Sequence, residues 1–172
     1  MKQYKRILII GSAGSGKTVL SNKLSKKLNI EVIHLDKIYW QANWQRQSDE
    51  YCIEKTLDVV KNDEWILDGN YIQTLDIRLE KADLVILLKI NRFKCIKSLF
   101  ERRRLTKRNE IVRDDLADGC SDKLDFSFLR WAFNFNNKYA PKLLEKINKY
   151  QHLDVIVFKK RKDACKFIDT LE

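Results

Sequence analysis

The chain of 172 residues has little of what marks membrane-spanning or secreted proteins. It contains no run approaching the roughly 18 consecutive apolar residues that a transmembrane helix needs. Its N-terminus has a basic start, but the apolar run that follows is too short for the core of a signal peptide. We therefore expect a cytoplasmic protein.

Patterns typical of zinc sites and disulfide frameworks are missing as well. The four cysteines are widely scattered, no Cys-x-x-Cys pair occurs, and the chain has only two histidines. This spacing argues against a zinc cluster. Because cytoplasmic thiols stay reduced, we expect the cysteines to be reduced and structural.

The whole chain has a net charge of +10, and negative charge is scarce in one part of it. From Lys89 to Arg113, ten residues are lysine or arginine and only two are acidic. Positive charge concentrated in this way raises the local concentration of polyanions. Phosphorylated small molecules and nucleic acids both qualify, so charge alone does not choose between them.

Short apolar runs alternate with helical patterns along the chain. The runs lie at residues 7–10, 32–35, 65–67, 84–88 and 155–158. They are apolar throughout, which is typical of strands buried on both faces of a parallel sheet. The alternation predicts one α/β domain, a five-stranded parallel sheet flanked by helices. Pro141, the only proline, is predicted to kink a long helical region or to start its second half.

One loop carries a phosphate-binding motif. The residues Gly11-Ser12-Ala13-Gly14-Ser15-Gly16-Lys17-Thr18 match G-x-x-x-x-G-K-[ST], between a predicted strand and a predicted helix. The glycines let backbone N–H groups turn toward phosphate oxygens, and the helix N-terminus adds its positive dipole end. Lys17 can neutralise the β- and γ-phosphates, and the Thr18 hydroxyl can hold Mg²⁺. The motif predicts a P-loop that binds ATP with Mg²⁺.

Two aspartates follow predicted strands, at the sheet edge where α/β proteins bind their ligands. Asp68 is predicted to support Mg²⁺, directly or through water. Asp36 suits a substrate ligand, or a base for a phosphate acceptor. Each aspartate could instead cap a turn or a helix.

Several segments resemble those of known P-loop proteins. The segments are His34-Leu35-Asp36, Tyr39-Trp40 with Trp44, Trp65 to Tyr71, Arg113-Asp114-Asp115, Asp118-Gly119-Cys120 and the aromatic run Phe126 to Phe135. Together they resemble the DNA topology modulation proteins (FlaR-type), and the middle of the chain resembles adenylate-kinase-like enzymes. The resemblance covers almost the whole chain. It implies a nucleoside-monophosphate-kinase fold with a substrate-binding arm, about residues 37–62, and an arginine-bearing helical lid, about residues 104–126.

The resemblance also suggests roles for lid arginines. Arg113 would reach the phosphates when the lid closes, and Arg102 or Arg103 would stack on the nucleotide base, as arginine does readily. These side chains could instead form a solvated basic helix end, which suits the helix dipole.

On the acceptor side the candidates are Trp40 and Arg78. Trp40 could stack on an acceptor, although large aromatic side chains more often pack in the interior. Arg78 could bind an acceptor phosphate or carboxylate, or form a surface ion pair with Asp76 or Glu80. Adenylate kinases carry an arginine shortly after Asp-Gly, where this chain has Asn70, Tyr71 and Ile72, so the resemblance does not extend to AMP as acceptor.

The favoured function is a kinase that transfers the γ-phosphoryl group of ATP to a nucleotide or related acceptor, with Lys17, Asp68 and Arg113 as catalytic residues. One alternative is a nucleic-acid-associated ATPase or regulator of DNA topology, but no helix-turn-helix, zinc-finger or RNA-recognition signature supports it. Another is a kinase of a shikimate- or gluconate-like metabolite. Asp36, and the missing arginine after Gly69, support that alternative.

Overall fold

The computed structural model describes residues 3–113, 115–122 and 124–171. In chain order, the strands are β1 (Arg6–Gly11), β2 (Val32–His34), β3 (Trp40–Gln41), β4 (Gln45–Arg46), β5 (Trp65–Asp68), β6 (Leu84–Leu88) and β7 (Asp154–Phe158). Five of them form a parallel sheet in the order β2-β5-β1-β6-β7. The strands β3 and β4 pair separately as a small antiparallel hairpin.

Helices follow most strands. They are α1 (Lys17–Leu28), α2 (Leu35–Tyr39), α3 (Asp49–Val60), α4 (Leu75–Lys81), α5 (Arg92–Lys107), α6 (Phe126–Asn134), α7 (Ala140–Ile147) and α8 (Arg161–Asp169). A π-helical turn, Phe135–Tyr139, joins α6 to α7. Pro141 lies in the first turn of α7. Of the two predictions, a kink or the start of the second half of the helical region, the second is therefore confirmed.

The central strands β1, β5 and β6 are mostly apolar because both faces of the sheet are buried there. Along β1, Leu8 and Ile10 face one hydrophobic cluster, with Trp65 and Phe135. Ile7 and Ile9 face the other cluster, which α1 and α8 cover. Burying one such aliphatic side chain contributes about 1.5–3 kcal/mol to folding. The sheet is therefore enclosed by helices, as the sequence predicted.

Some local structure departs from the sequence-based expectation. The second strand ends at His34, and Leu35 already belongs to α2, because Asp36 and the residues after it turn into a short helix. The helix α4 and the β3–β4 hairpin were not predicted. Within the described residues, no helix is long and apolar enough to span a bilayer.

The strand register decides where the functional side chains meet. In the parallel pairs, Asp68 lies beside Ile9 on one neighbour and His34 on the other, and Gly11 lies beside Leu88. The carboxyl ends of the central strands thus lie at one edge of the sheet. That edge is where open α/β sheets bind ligands.

Candidate active site

The phosphate loop follows β1 directly and turns tightly against α5. Gly14 has a φ of +72°, and a Cβ there would lie 2.4 Å from the carbonyl oxygen of Cys95. Gly16, with a φ of +101°, is the residue before α1. Only glycine takes such a close approach and such dihedral angles without strain. The N-terminus of α1 therefore begins directly at the loop.

Two side chains fix the start of the loop to neighbouring elements. Asn70 accepts a hydrogen bond from the amide of Gly11 at 3.0 Å and donates from Nδ2 to the Gly11 carbonyl at 2.9 Å. The hydroxyl of Ser12 donates to the carbonyl of Ala132 in α6, also at 2.9 Å. These bonds tie the start of the loop to the segment after β5 and to α6.

Arg161, the first residue of α8, holds the loop from its outer side. Its Nε donates to the carbonyl of Ser15 at 3.0 Å, and its Nη2 donates to the carbonyl of Gly14 at 2.6 Å. Nη2 also lies 2.9 Å from the hydroxyl of Ser98. Because Arg161 bonds these carbonyl groups on the outer side of the loop, backbone N–H groups can point to the inner side, where phosphates bind in such loops. Arg161 belongs to no sequence motif and lies far along the chain from the loop, so its role was not predicted.

Beside the loop, the hydroxyl of Thr18 lies between two carboxylates. It is 3.2 Å from Oδ2 of Asp68 and 3.1 Å from Oδ2 of Asp115. His34 Nδ1 lies 3.2 Å from the same Asp68 oxygen. The other oxygen of Asp68, Oδ1, is buried and has no hydrogen-bond partner among the residues that the structure describes. Because buried carboxylate oxygens are normally paired, this atom marks a place for a ligand.

Lys17 lies at the same point, where its ammonium group donates to the carbonyl of Ser12 at 3.2 Å. Its charge also acts on the carboxyl of Asp36. The structure therefore brings Lys17, Thr18, Asp68 and Asp36 together at the edge of the sheet. The sequence analysis had proposed all four.

Arginines of the predicted lid converge on two aspartates. Arg113 donates from Nε and Nη2 to the two oxygens of Asp115, at 2.6 and 2.9 Å, and from Nη1 to Asp122 at 2.9 Å. Arg102 donates to both oxygens of Asp122, at 3.3 and 2.9 Å. Burial alone would raise the pKa of Asp115, but the hydrogen bonds and charge of Arg113 lower it to about 2. Asp115 is thus an ionised carboxylate held by its neighbouring arginine.

Arg103 takes no part in this network. It has no hydrogen bond or ion pair in the described part of the chain. Its neighbour Arg102 is engaged by Asp122 instead of being free to move. Asp114, which belongs to the segment quoted for the family resemblance, lies outside the described residues.

A chain of three side chains ends on Asp36. The indole Nε1 of Trp40 donates to the hydroxyl of Tyr71 at 2.7 Å, and that hydroxyl bonds to Oδ1 of Asp36. The ring of Tyr71 stacks on that of Tyr39, with centroids 3.7 Å apart. Burial raises the pKa of Asp36, against the lowering effects of the Tyr71 hydrogen bond and the Lys17 charge. Trp40 is therefore connected to the candidate site through Tyr71.

The predicted lid touches the predicted arm directly. The amide of Asn43 donates to the carbonyl of Gly119 at 3.1 Å, and the indole of Trp44 donates to the carbonyl of Ser121 at 2.9 Å. Gly119 has a φ of +76° and packs so closely that a Cβ would lie 2.8 Å from the Cβ of Ala42. The two segments therefore meet over the edge of the sheet that carries the other candidates.

Arg78 lies elsewhere, fully buried beneath the loop that follows β5. Its guanidinium donates to backbone carbonyls, at 3.2 Å to Thr74 and 3.1 Å to Gly69, and also to Asn70 and Tyr71. Burial lowers its pKa to about 10. The expected surface ion pair is not observed, and the structure does not bring Arg78 into the cleft with the other candidates. Arg78 stands between charged residues in the sequence, so nothing in the sequence indicated that it is buried.

Comparison with known proteins finds relatives in sequence and in fold. No family model matches the chain. The chain is 29% identical over 137 residues to the uncharacterized protein YqaC of Bacillus subtilis (strain 168), covering 77% of this chain and 74% of that protein. It is 27% identical over 130 residues to the bifunctional pantoate ligase/cytidylate kinase of Prochlorococcus marinus (strain MIT 9301), covering 66% of this chain and 25% of that protein.

Among solved structures, deoxyadenosine kinase from M. mycoides with bound dATP is similar, with a TM-score of 0.57, 16% identity and coverage of 96% of this chain and 97% of that one. Shikimate kinase from Acinetobacter baumannii in complex with shikimate gives a TM-score of 0.57 at 13% identity, covering 96% and 91%. The predicted fold, a five-stranded parallel sheet flanked by helices with the phosphate loop after β1, is thereby confirmed. Membership in the DNA topology modulation family stays a prediction.

Proposed function

We propose that the protein is an ATP-dependent kinase that transfers the γ-phosphoryl group of ATP to a nucleotide or a related small molecule. One observation carries the proposal. The Thr18 hydroxyl lies 3.2 Å from Asp68 and 3.1 Å from Asp115, at the end of a phosphate loop that also carries Lys17. Phosphoryl transfer relies on positioning and on charge around the moving group, and this arrangement supplies both.

The similar proteins support a kinase with a small acceptor. They include a bifunctional pantoate ligase/cytidylate kinase, a deoxyadenosine kinase and a shikimate kinase. A kinase of a shikimate-like metabolite therefore remains a second candidate, and it is favoured by Asp36, which lies near the Lys17 charge at the acceptor side.

In the proposed reaction, the loop from Gly11 to Thr18 holds the phosphates, and Lys17 neutralises them. The oxygen-rich set around Thr18, Asp68 and Asp115 fits Mg²⁺, which prefers hard oxygen ligands. The unpartnered Oδ1 of Asp68 supports the same assignment. Thr18 and Asp68 would hold the ion, which when bound neutralises charge on the phosphates of ATP. His34 would orient the Asp68 carboxylate from behind, at 3.2 Å.

The remaining assignments follow the same scheme. We propose that residues 104–126 act as the lid and residues 37–62 as the substrate arm of one domain. Arg113 would contact the phosphates of ATP, and Arg102 or Arg103 would stack on the nucleotide base. Of these two, Arg103 is free of other partners among the described residues, which supports it for the base. A cytoplasmic location stays a prediction.

A nucleic-acid-associated ATPase is not favoured. Part of the positive charge that suggested it is neutralised inside the protein, since Arg102 and Arg113 pair with Asp122 and Asp115. Charges paired and shielded in this way contribute little to a surface that attracts polyanions.

The test is ADP release from ATP–Mg²⁺ across a panel of nucleosides, nucleotides and sugar acids. Lys17→Ala removes the charge that neutralises the transferring phosphoryl group, so we expect kcat to fall by about 10²–10³-fold with any active acceptor. Lys27→Ala, an exposed residue in the last turn of the same helix, is the matched control and should leave the rate unchanged. Equal rates for the wild type and Lys17→Ala would refute the proposal.

A further inference from the structure

Asp36 has one oxygen engaged and one oxygen available. Oδ1 accepts the hydrogen bond from the Tyr71 hydroxyl, whereas Oδ2 has no hydrogen-bond partner among the described residues. The residue is only partly buried. A carboxylate held on one oxygen and free on the other is suited to accept a proton.

The direction of the hydrogen bonds around Tyr71 follows from chemistry. An indole N–H can only donate, so the Tyr71 oxygen accepts from Trp40 at 2.7 Å. The Tyr71 hydroxyl is then left to give its own hydrogen to Asp36. Stacking on Tyr39 fixes the ring plane. Trp40 and Tyr71 therefore hold Asp36 as a hydrogen-bond acceptor in one orientation.

Asp36 itself is a poor contact for a second phosphate. It is a carboxylate, and although Lys17 and Arg113 act on it as cations, Asp68 and Asp115 add further negative charge around it. Arg78, the arginine closest in sequence to Tyr71, is fully buried and bonded to backbone carbonyls. A phosphate monoester brought against Asp36 would meet like charge, whereas a hydroxyl group would meet a hydrogen-bond acceptor.

We infer that the acceptor presents a hydroxyl group to the protein, that Asp36 accepts the proton of this hydroxyl, and that Tyr71 and Trp40 position Asp36 for that step. The inference rests on the proposed kinase function and specifies its acceptor. The acceptor oxygen forms a bond to the γ-phosphorus of ATP as the bond from that phosphorus to the β–γ bridging oxygen breaks. ADP leaves with the electron pair of the broken bond, and the acceptor proton passes to Oδ2 of Asp36.

The charged and titratable groups that act on Asp36 come from four segments. They are Lys17 at the start of α1, Asp68 at the end of β5, Tyr71 after it, and Asp115 and Arg113 in the lid. Tyr71 lowers the pKa of Asp36 by donating to the carboxylate. Removing the Tyr71 hydroxyl should therefore raise the pKa of Asp36, so that the base is ionised only at higher pH.

The experiment measures ADP release from ATP–Mg²⁺ with three groups of acceptors: ribo- and deoxyribonucleosides, shikimate with gluconate, and nucleoside monophosphates. Water is the fourth acceptor, because it also carries an O–H group and needs no identified substrate. We expect hydroxyl acceptors to be used, and Asp36→Asn to lower the rate about 10²-fold or more with them and with water. The first two groups distinguish a nucleoside hydroxyl from that of a sugar acid.

Positioning is tested by the pH profile of kcat/KM. Tyr71→Phe should move its acidic limb to higher pH by about 1 unit, since a hydrogen bond to a charged group is lost. Tyr150→Phe is the matched control, because it removes a tyrosine-to-aspartate hydrogen bond on the far surface, to Asp76 at 2.9 Å. A lower rate in Tyr71→Phe with an unchanged profile would overturn the positioning role.

The outcomes separate this inference from the proposed function. Efficient use of monophosphates at a rate that Asp36→Asn leaves intact would overturn the hydroxyl acceptor while leaving the kinase in place. The hydroxyl acceptor would also be overturned, with the kinase kept, if Asp36→Asn hydrolysed ATP with water as fast as the wild type while Lys17→Ala was inactive. If Lys17→Ala matches the wild type throughout, the kinase proposal itself fails.

Discussion

The two sides of the candidate site are stabilised in different ways. The phosphate loop is fixed by side chains of the surrounding core: Asn70 after β5 and Arg161 at the start of α8 bond its backbone, and the Ser12 hydroxyl bonds to α6. In the predicted lid, no helix or strand lies between the end of α5 and the start of α6 among the described residues. This segment is held by the Arg113–Asp115–Asp122 network and by its contacts with the arm.

This difference matches what each side has to do. A phosphate site must present its N–H groups before the ligand arrives, because preorganised dipoles cost no reorganisation during the reaction. A lid must admit and release substrates, and segments that do so come from the less stable part of a fold. We therefore expect changes near the loop to act on ATP affinity, and changes in the ion pairs and arm contacts that hold the predicted lid to act first on stability or acceptor use.

The largest effect is expected from Arg113→Met, which leaves Asp115 without its cation. The side chains of Arg113 and Asp115 are 12% and 10% exposed, so the pair is shielded from water. Removing one member of such a pair costs about 3 kcal/mol of the free energy of unfolding. Denaturant titration of the metal-free protein measures the loss. The control Arg46→Met breaks an exposed pair with Asp49 and should cost less than about 1 kcal/mol.

Acid titration sharpens the same prediction. The pKa of Asp115 is lowered to about 2, below the value of about 4 that an unfolded aspartate has. Asp115 therefore stabilises the fold above pH ~4, and this contribution is lost as the pH falls from about 4 to about 2. In Arg113→Met that part of the pH dependence should disappear. An acid limb identical to that of the wild type would contradict the role of Arg113.

A middle effect is expected on the donor side from Arg161→Gln. Losing the donors to the Gly14 and Ser15 carbonyls loosens the loop, so the Kd for ATP should rise about 3–10-fold, the value of roughly one hydrogen bond. Isothermal titration calorimetry with a non-hydrolysable ATP analogue measures it. The exposed neighbour variant Lys162→Gln is the control. If acceptor KM changed and ATP affinity did not, the division between the two sides would be wrong.

The smallest effect is expected from Trp44→Phe, which keeps an aromatic ring but removes the hydrogen bond to Ser121. We expect acceptor KM to rise about two- to five-fold, with ATP affinity unchanged. Steady-state kinetics with an active acceptor measures the change. Tyr51→Phe, an exposed position elsewhere on the arm, should leave both values as they are. A loss of ATP affinity in Trp44→Phe would contradict the expectation that contacts between the lid and the arm act on acceptor use alone.

Local patterns predicted the sheet and the phosphate loop because their signals lie within a few residues. The five apolar runs became the five parallel strands, and the spacing from Gly11 to Thr18 identified the loop. Asp68 was predicted beside Thr18 because the carboxyl ends of parallel strands share one edge of the sheet, and the structure places it there.

What the sequence did not predict depends on contacts between distant residues. Arg161 and Ser15 are 146 positions apart, and neither belongs to a pattern that names the other. Arg78 was expected either to bind an acceptor group or to form a surface ion pair, yet it is buried and four carbonyl groups turn toward it. The choice of Asp122 as the residue that joins Arg102 to Arg113 likewise needed the folded lid.

The contacts between the predicted lid and the predicted arm are made to main-chain carbonyls, those of Gly119 and Ser121. Every residue type carries such a carbonyl, so this segment can accumulate substitutions over evolution and keep its docking points. Gly119 is the exception, because a Cβ there would lie 2.8 Å from the Cβ of Ala42. A lineage that changes the side chains around these carbonyls would therefore keep the same contact between the two segments.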